Sequence, residues 1–396
     1  MLCEVKIALV SLNDSTDVHE WSGLNYHIAH ALERAGATLH RVGPLRARWT
    51  LRMKLRQRWY DHTGRTYHAI IEPAALASLG EAARAAIPRD VDAVVAVTSL
   101  IAGAIGPLDR PFVSWDDATQ AAMERYYPDF TRIADVSRRH GEALGWRAAT
   151  SVSLAMFASD WAAATARDAY ELPAERVAVV PFGANLRELP TRHAIDSAIT
   201  ARRSERCELL WVGVDWERKG GTLAVDIASR IEAAGIPVRL TVVGCDPPPS
   251  TAVPSWVERQ GFVSKRTAEG EARLAALFAR SHFFVMPSSA EAYGLVYAEA
   301  SAFGVPSVAM NTGGVPTIVV DGRTGLLGEP GASAQWYAAR MLDLLHDPAR
   351  YAAMAHAARE RAELRLNWDV AGRDALARIE AVVRNFHARQ RPTGRR

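Results

Sequence analysis

Residues 283–328, FFVMPSSAEAYGLVYAEASAFGVPSVAMNTGGVPTIVVDGRTGLLG, constrain the fold more than any other stretch of this chain. FFVMP is a short apolar run closed by proline. AYGLVYAEASAF has helical apolar spacing, and VPSVAM is a second apolar run after Gly304-Val305-Pro306. The segment therefore reads strand, helix, strand, which is a parallel crossover unit. In open parallel sheets ligands sit beyond the carboxyl ends of the strands, and Glu291, Tyr293 and Gly294 fall there, between the first strand and its helix.

The residue types at that spot suggest an anion site. A helix beginning near Gly294 presents unpaired backbone N–H groups and the positive end of its dipole, and a glycine lets a phosphate approach the main chain. Glu291 in the loop and Glu299 in the second turn would flank those N–H groups, about 10 Å apart if the helical rise holds. Ionised carboxylates accept hydrogen bonds from vicinal hydroxyls, so a diphosphate with a sugar on one side and a ribose on the other matches the pattern.

The Glu-x7-Glu element from Glu291 to Glu299 contains Tyr293-Gly294-Leu295 and is followed by Gly304-Val305-Pro306, Gly313-Gly314 and Asp321-Gly322-x-x-Gly325. This series resembles the signature of the family-four retaining glycosyltransferases of GT-B fold. The resemblance implies an α/β architecture of two Rossmann-like domains facing across a cleft. It implies a metal-independent transferase that moves a hexose from a nucleotide-diphosphate sugar to an acceptor hydroxyl, in cell-surface glycan or glycolipid biosynthesis, with no cofactor beyond the donor substrate. Glu291 would orient the donor sugar near its anomeric carbon, Glu299 would hold the ribose hydroxyls, and the amides at Gly294 and Leu295 would face the leaving diphosphate. A non-catalytic nucleotide-sugar-binding protein and a nucleotide-sugar 2-epimerase are the alternatives.

A second glycine loop, VDWERKGG, lies between the apolar run ELLWVG and the helical stretch TLAVDIASRIEAAG. It carries Arg218 and Lys219, and cations at a helix N-terminus oppose the local dipole unless an anion binds there. In the resembled family an arginine directly follows the loop glycine, here Gly213, and a lysine comes five residues later. Lys219 occupies the lysine position, Val214 stands where the arginine would be, and Arg218 is expected to replace the missing cation. Backbone at Gly261, Phe262 and Val263 corresponds to the family's nucleobase contact.

The first half is read more loosely. VKIALVSL is a first buried strand, and Trp21-Ser22-Gly23 precedes a helix, placing Gly23 where the family's donor-approaching glycine lies. The run RPFVSW ends in Asp116-Asp117, so Asp117 is the acceptor-side candidate base, with a helix cap as the alternative. Asp90 and Asp92 form an Asp-x-Asp at the start of a strand, away from the ligand end, and no metal is predicted. Arg48, Arg52 and Arg56 recur at i, i+4 and i+8 among Trp49, Met53, Leu55 and Trp59. That stripe suits an anionic membrane surface or acceptor, or equally a solvated helix face.

Composition sets the remaining bounds. At 396 residues the chain exceeds one core. The expected division is 1–200 for an acceptor-side domain with its linker, 201–370 for the nucleotide-sugar domain, and 371–396 for a helix crossing back plus a basic tail. A net charge of +3 gives no reason to expect nucleic acid. The three cysteines lack metal-ligand spacing and are too few for a disulfide framework. No apolar run approaches the roughly 18 residues of a membrane span. The expectation is a cytoplasmic protein, with contact at the inner membrane face only through the arginine stripe, acting on a glycan, lipid-linked or small-molecule acceptor.

Overall fold

The structure, a computed structural model, describes residues 5–18, 20–124, 126–202, 206–249, 253–265 and 267–390. The end of the expected basic tail, 391–396, lies outside the described residues. Two compact units are present. One holds residues up to Pro181 together with those from Trp368 onward, and the other is Phe182–Asn367.

The first unit is built on a six-stranded parallel sheet in the order β2-β1-β3-β4-β5-β6. Its strands are β1 Lys6–Val10, β2 Thr38–Val42, β3 Ala93–Ala96, β4 Phe112–Asp116, β5 Leu154–Phe157 and β6 Val177–Val179. Helices cover both faces of such sheets, so the central strands read as unbroken apolar runs: AVVA of β3 and LAMF of β5 are buried at every position. Helix Asp135–Ser151 packs by smallness. A Cβ at Gly145 would lie 2.1 Å from the Tyr170 hydroxyl, and one at Gly141 would lie 2.7 Å from the Gln120 amide.

The last helix, Trp368–Gln390, belongs to this unit and lies against helix Leu24–Ala35. A Cβ at Gly372 would lie 2.2 Å from the Ala31 carbonyl oxygen, so only glycine permits the approach. Trp368 stacks on His27 with centroids 5.5 Å apart, and Arg34 pairs with Asp369 at 2.7 Å.

The second unit has a six-stranded parallel sheet in the order β12-β11-β10-β7-β8-β9. These strands are β7 Cys207–Gly213, β8 Val238–Gly244, β9 Val257–Arg259, β10 Phe283–Val285, β11 Ser307–Met310 and β12 Gly325–Gly328. The crossover expected at 283–328 is β10, helix Leu295–Ala302 and β11. Strand β9 ends just upstream of Gly261, and residues 261–265 form a loop. The stretch after Asn185 that reads as linker contains helix Arg192–Ala201, whose Ile195 and Ile199 are buried. In this sheet the strand order reverses between β10 and β7, and a crevice opens at such a switch point, outside the carboxyl ends of the two strands.

Candidate active site

The loops leaving β7 and β10 meet at that switch point. The Ser289 amide donates to the Arg218 carbonyl at 2.8 Å, and a Cβ at Gly220 would lie 2.3 Å from the Pro287 carbonyl oxygen. Each loop ends in a left-handed glycine that caps a helix: Gly220 (φ 69°) before Gly221–Ala233 and Gly294 (φ 88°) before Leu295–Ala302. Neither cap supplies a side-chain acceptor for the opening turn of its helix, although the Gly221 amide itself donates to the Trp216 carbonyl at 2.8 Å.

The charged residues gather between these two helix starts. Glu291 is only 5% exposed, and Lys219 donates to its Oε1. Arg218 Nη1 reaches the same oxygen at 3.1 Å and the Ala290 carbonyl at 2.9 Å, while its Nε lies 3.1 Å from Asp215 Oδ2. Two cations therefore share one buried carboxylate. Val214, at the position of the family's arginine, is 71% exposed and engages nothing charged. Arg218 lies beside Lys219 on the same Glu291 oxygen.

Glu299 is buried on the helix that Gly294 begins, and Lys265 donates to its Oε1. Lys265 escaped the sequence reading, although a compositional signal was present. The chain uses arginine for almost every cation, and its only lysines are Lys6, Lys54, Lys219 and Lys265. The two in this unit each meet one carboxylate of the Glu-x7-Glu element.

The other expected donor residues take up distinct positions. Gly213 ends β7, and its carbonyl accepts from the Cys245 amide at 2.9 Å. Gly261 joins the same edge through its carbonyl, 2.9 Å from the Gly244 amide. Phe262 is 74% exposed, and Val263 is half-buried beside it. Tyr293 is buried, and its hydroxyl donates to the Phe182 carbonyl at 2.6 Å. Burial pushes that phenol far above its ordinary pKa. Leu295 is the first residue of its helix.

In the first unit, Trp21, Ser22 and Gly23 are three consecutive left-handed residues, with φ 49°, 57° and 78°. Two of them are not glycine, a strained arrangement that persists where surroundings over-determine it. Gly23 caps helix Leu24–Ala35, and a Cβ there would lie 2.6 Å from the Val18 carbonyl oxygen. Asp117 is half-buried at the carboxyl end of β4. Its cap alternative is corrected: the helix that follows, Gln120–Met123, is capped by Thr119, whose hydroxyl oxygen accepts from the Ala122 amide at 3.0 Å. The neighbouring Asp116 is buried and accepts from the amides of Ser99 at 2.5 Å and Asp117 at 2.9 Å. Burial raises its pKa, against the hydrogen bonds that hold it down.

Asp90 and Asp92 both engage Lys6, through its ammonium at 3.1 Å and its amide at 2.8 Å. Among the described residues no group of three or more His, Cys, Asp or Glu could hold a metal ion. The arginine stripe also needs correction. Arg48 precedes helix Leu51–Asp61, and Arg56 turns inward to Glu72 at 2.6 Å.

Residues 206–347, which contain Arg218, Lys219, Lys265, Glu291 and Glu299, match the family model described as Glycosyl transferases group 1. The matched segment belongs to the group 1 glycosyltransferases. The chain is 30% identical over 274 residues to a D-inositol 3-phosphate glycosyltransferase of Streptomyces avermitilis, covering 68% of this chain and 54% of that protein. It spans about half the length of the curated relatives it matches. Its fold is GT-B. Sucrose-phosphate synthase of Thermosynechococcus elongatus superposes with a TM-score of 0.70 at 18% identity, covering 98% of this chain and 100% of that one. The HepE protein of Anabaena, in its complex with UDP-glucose, superposes with a TM-score of 0.61 at 17% identity, covering 96% and 100%.

Proposed function

We propose that this chain is a retaining, metal-independent glycosyltransferase that moves a hexose from a nucleotide-diphosphate sugar to an acceptor hydroxyl in cell-surface glycan or glycolipid biosynthesis. The observation that carries the reading is the pair of cations, Arg218 and Lys219, held on buried Glu291 between two glycine-capped helix starts. A diphosphate seated there meets two positive side chains and two sets of helical amides. These stabilise the charge that develops on the leaving diphosphate as the glycosidic bond breaks, in a preorganised and water-poor setting. The resident cations supply the charge that a divalent metal supplies elsewhere.

Glu291 has a second part in this reading. When the diphosphate takes a share of both cations, the carboxylate turns to the donor sugar's hydroxyls near the anomeric carbon. Glu299 takes the ribose hydroxyls, and backbone at Phe262 and Val263 meets the base. In the first unit, Gly23 serves the donor and Asp117 serves the acceptor hydroxyl as base. HepE, bound to UDP-glucose, supports a nucleotide-sugar donor of this kind. The setting is the cytoplasm, where nucleotide sugars and reduced cysteines coexist.

Thermal-shift binding against UDP, GDP, ADP and dTDP and their hexose conjugates, with and without EDTA, tests the donor site. A ligand present at 100 times its dissociation constant adds about 2.7 kcal/mol of stability. One nucleotide shifting the curve regardless of EDTA supports the reading, and no shift with any of them overturns it. Anomeric NMR of the product then reads whether configuration is retained.

A further inference from the structure

Helix Leu51–Asp61 in the first unit leaves its largest apolar side chains in solvent. Trp49 just before it is 50% exposed, Leu51 73%, Leu55 61% and Trp59 61%. At about 100° per residue, Leu51, Leu55 and Trp59 form one stripe. Met53, the helix's buried residue, lies on the opposite side. Exposed Arg52 borders the stripe on one edge, and exposed Lys54 and Arg58 border it on the other. None of these three cations makes an ion pair among the described residues, whereas Arg56 is committed to Glu72.

Exposed leucines and tryptophans in a row are costly to leave in water, and isolated ones are common where a row is not. A row edged by unpaired cations on both sides matches one surface chemistry, an apolar layer beneath anionic headgroups. Trp59 at the far end of the stripe suits the headgroup boundary, where its ring is buried and its N–H stays wet. We infer that this helix docks flat on an anionic bilayer, with Leu51, Leu55 and Trp59 reaching the acyl boundary and Arg52, Lys54 and Arg58 contacting headgroups. No described helix is long and apolar enough to cross a membrane, so docking of this kind is a reversible surface attachment. The inference is independent of the transferase chemistry, since no residue of the helix belongs to the donor site.

Co-sedimentation of the full chain with vesicles of phosphatidylcholine alone, or mixed with phosphatidylglycerol, tests it at low and high salt. The expected result is partition onto the anionic vesicles only, weakening as salt rises. Arg52→Ala and Arg58→Ala should each lower the partition coefficient roughly five-fold. Leu55→Glu combined with Trp59→Glu should lower it by about ten-fold or more. All of these side chains are exposed, so the variants should melt with the wild type. Equal partition onto neutral vesicles, or anionic binding that the variants keep, overturns the inference. So does self-association on gel filtration that the double variant abolishes without any vesicle binding, because the stripe would then be covered by a second copy.

Discussion

Arg218 Nη1 lies 3.1 Å from Glu291 Oε1, so a cation expected to meet a diphosphate is held by the carboxylate expected to meet a sugar. The two roles are therefore coupled through one buried oxygen, which Lys219 also touches. Glu291→Gln should leave nucleoside diphosphate affinity unchanged or raised, because the cations lose their internal anion. Sugar transfer should fall by about 10²- to 10³-fold, the usual cost of removing a group aimed at the transition state. Arg218→Ala should do the opposite at the binding step and cost about 1.5 to 3 kcal/mol of nucleotide affinity. Isothermal titration beside initial rates separates the two, and an equal loss of affinity in both variants would contradict the coupling.

Glu299 should report on ribose alone. Glu299→Gln is expected to weaken nucleoside diphosphate binding by about 1.5 to 3 kcal/mol while leaving inorganic diphosphate binding unchanged. A parallel loss for inorganic diphosphate would place the carboxylate's effect on the phosphates instead, through Lys265.

Gly294 should tolerate no side chain. Its φ of 88° disfavours any L-residue, and a Cβ would lie 2.6 Å from the ring of Tyr297, a fully buried side chain. Gly294→Ala should cost about 2 kcal/mol or more of stability and reduce nucleotide affinity, as the first turn of its helix shifts. Thermal melts in the absence and presence of nucleotide check both.

His282 gives a pH dependence that does not involve the site. It is buried, and its Nδ1 accepts from the Glu208 amide at 3.0 Å. Burial, with the nearby charge of Arg202, lowers its pKa from 6.5 to about 4. Between those values the unfolded chain binds a proton that the folded chain refuses. Stability should therefore drop as pH falls from about 6.5 to about 4 and level off below, with this residue contributing at most about 3 kcal/mol. His282→Asn keeps an acceptor for the Glu208 amide and cannot titrate, so its melting temperature should fall less than that of the wild type over this range. Parallel curves for the two proteins would remove His282 as the cause.

The crossover at 283–328 and the charged loop at 214–220 were legible because buried parallel strands are unbroken apolar runs and the glycines sit where helices must begin. Helix Asp135–Ser151 left no such trace. Its inward side depends on Gly141, Gly145 and Ala148, so a hydrophobic pattern is absent where close approach to Tyr170 requires smallness. The Lys265–Glu299 pair joins residues 34 apart in sequence, and no local rule links a loop lysine to a helical glutamate. The arginine repeat misled for a related reason. Its i+4 spacing was genuine, but the helix starts only at Leu51, and the inward Glu72 claims Arg56.

The closing helix Trp368–Gln390 bears on how the protein is made. Residues Phe182–Asn367 form a unit interrupting another whose final piece is synthesised last. On the ribosome, the side of helix Leu24–Ala35 carrying His27 and Ala31 waits uncovered until some 330 further residues have emerged (~20 to 60 s at typical rates). The inserted unit is ready to collapse well before its host. For the nascent chain, the vulnerable interval is therefore the wait for Trp368 and Gly372, and a truncation directly after Asn367 would release a finished Phe182–Asn367 unit attached to an unfinished partner.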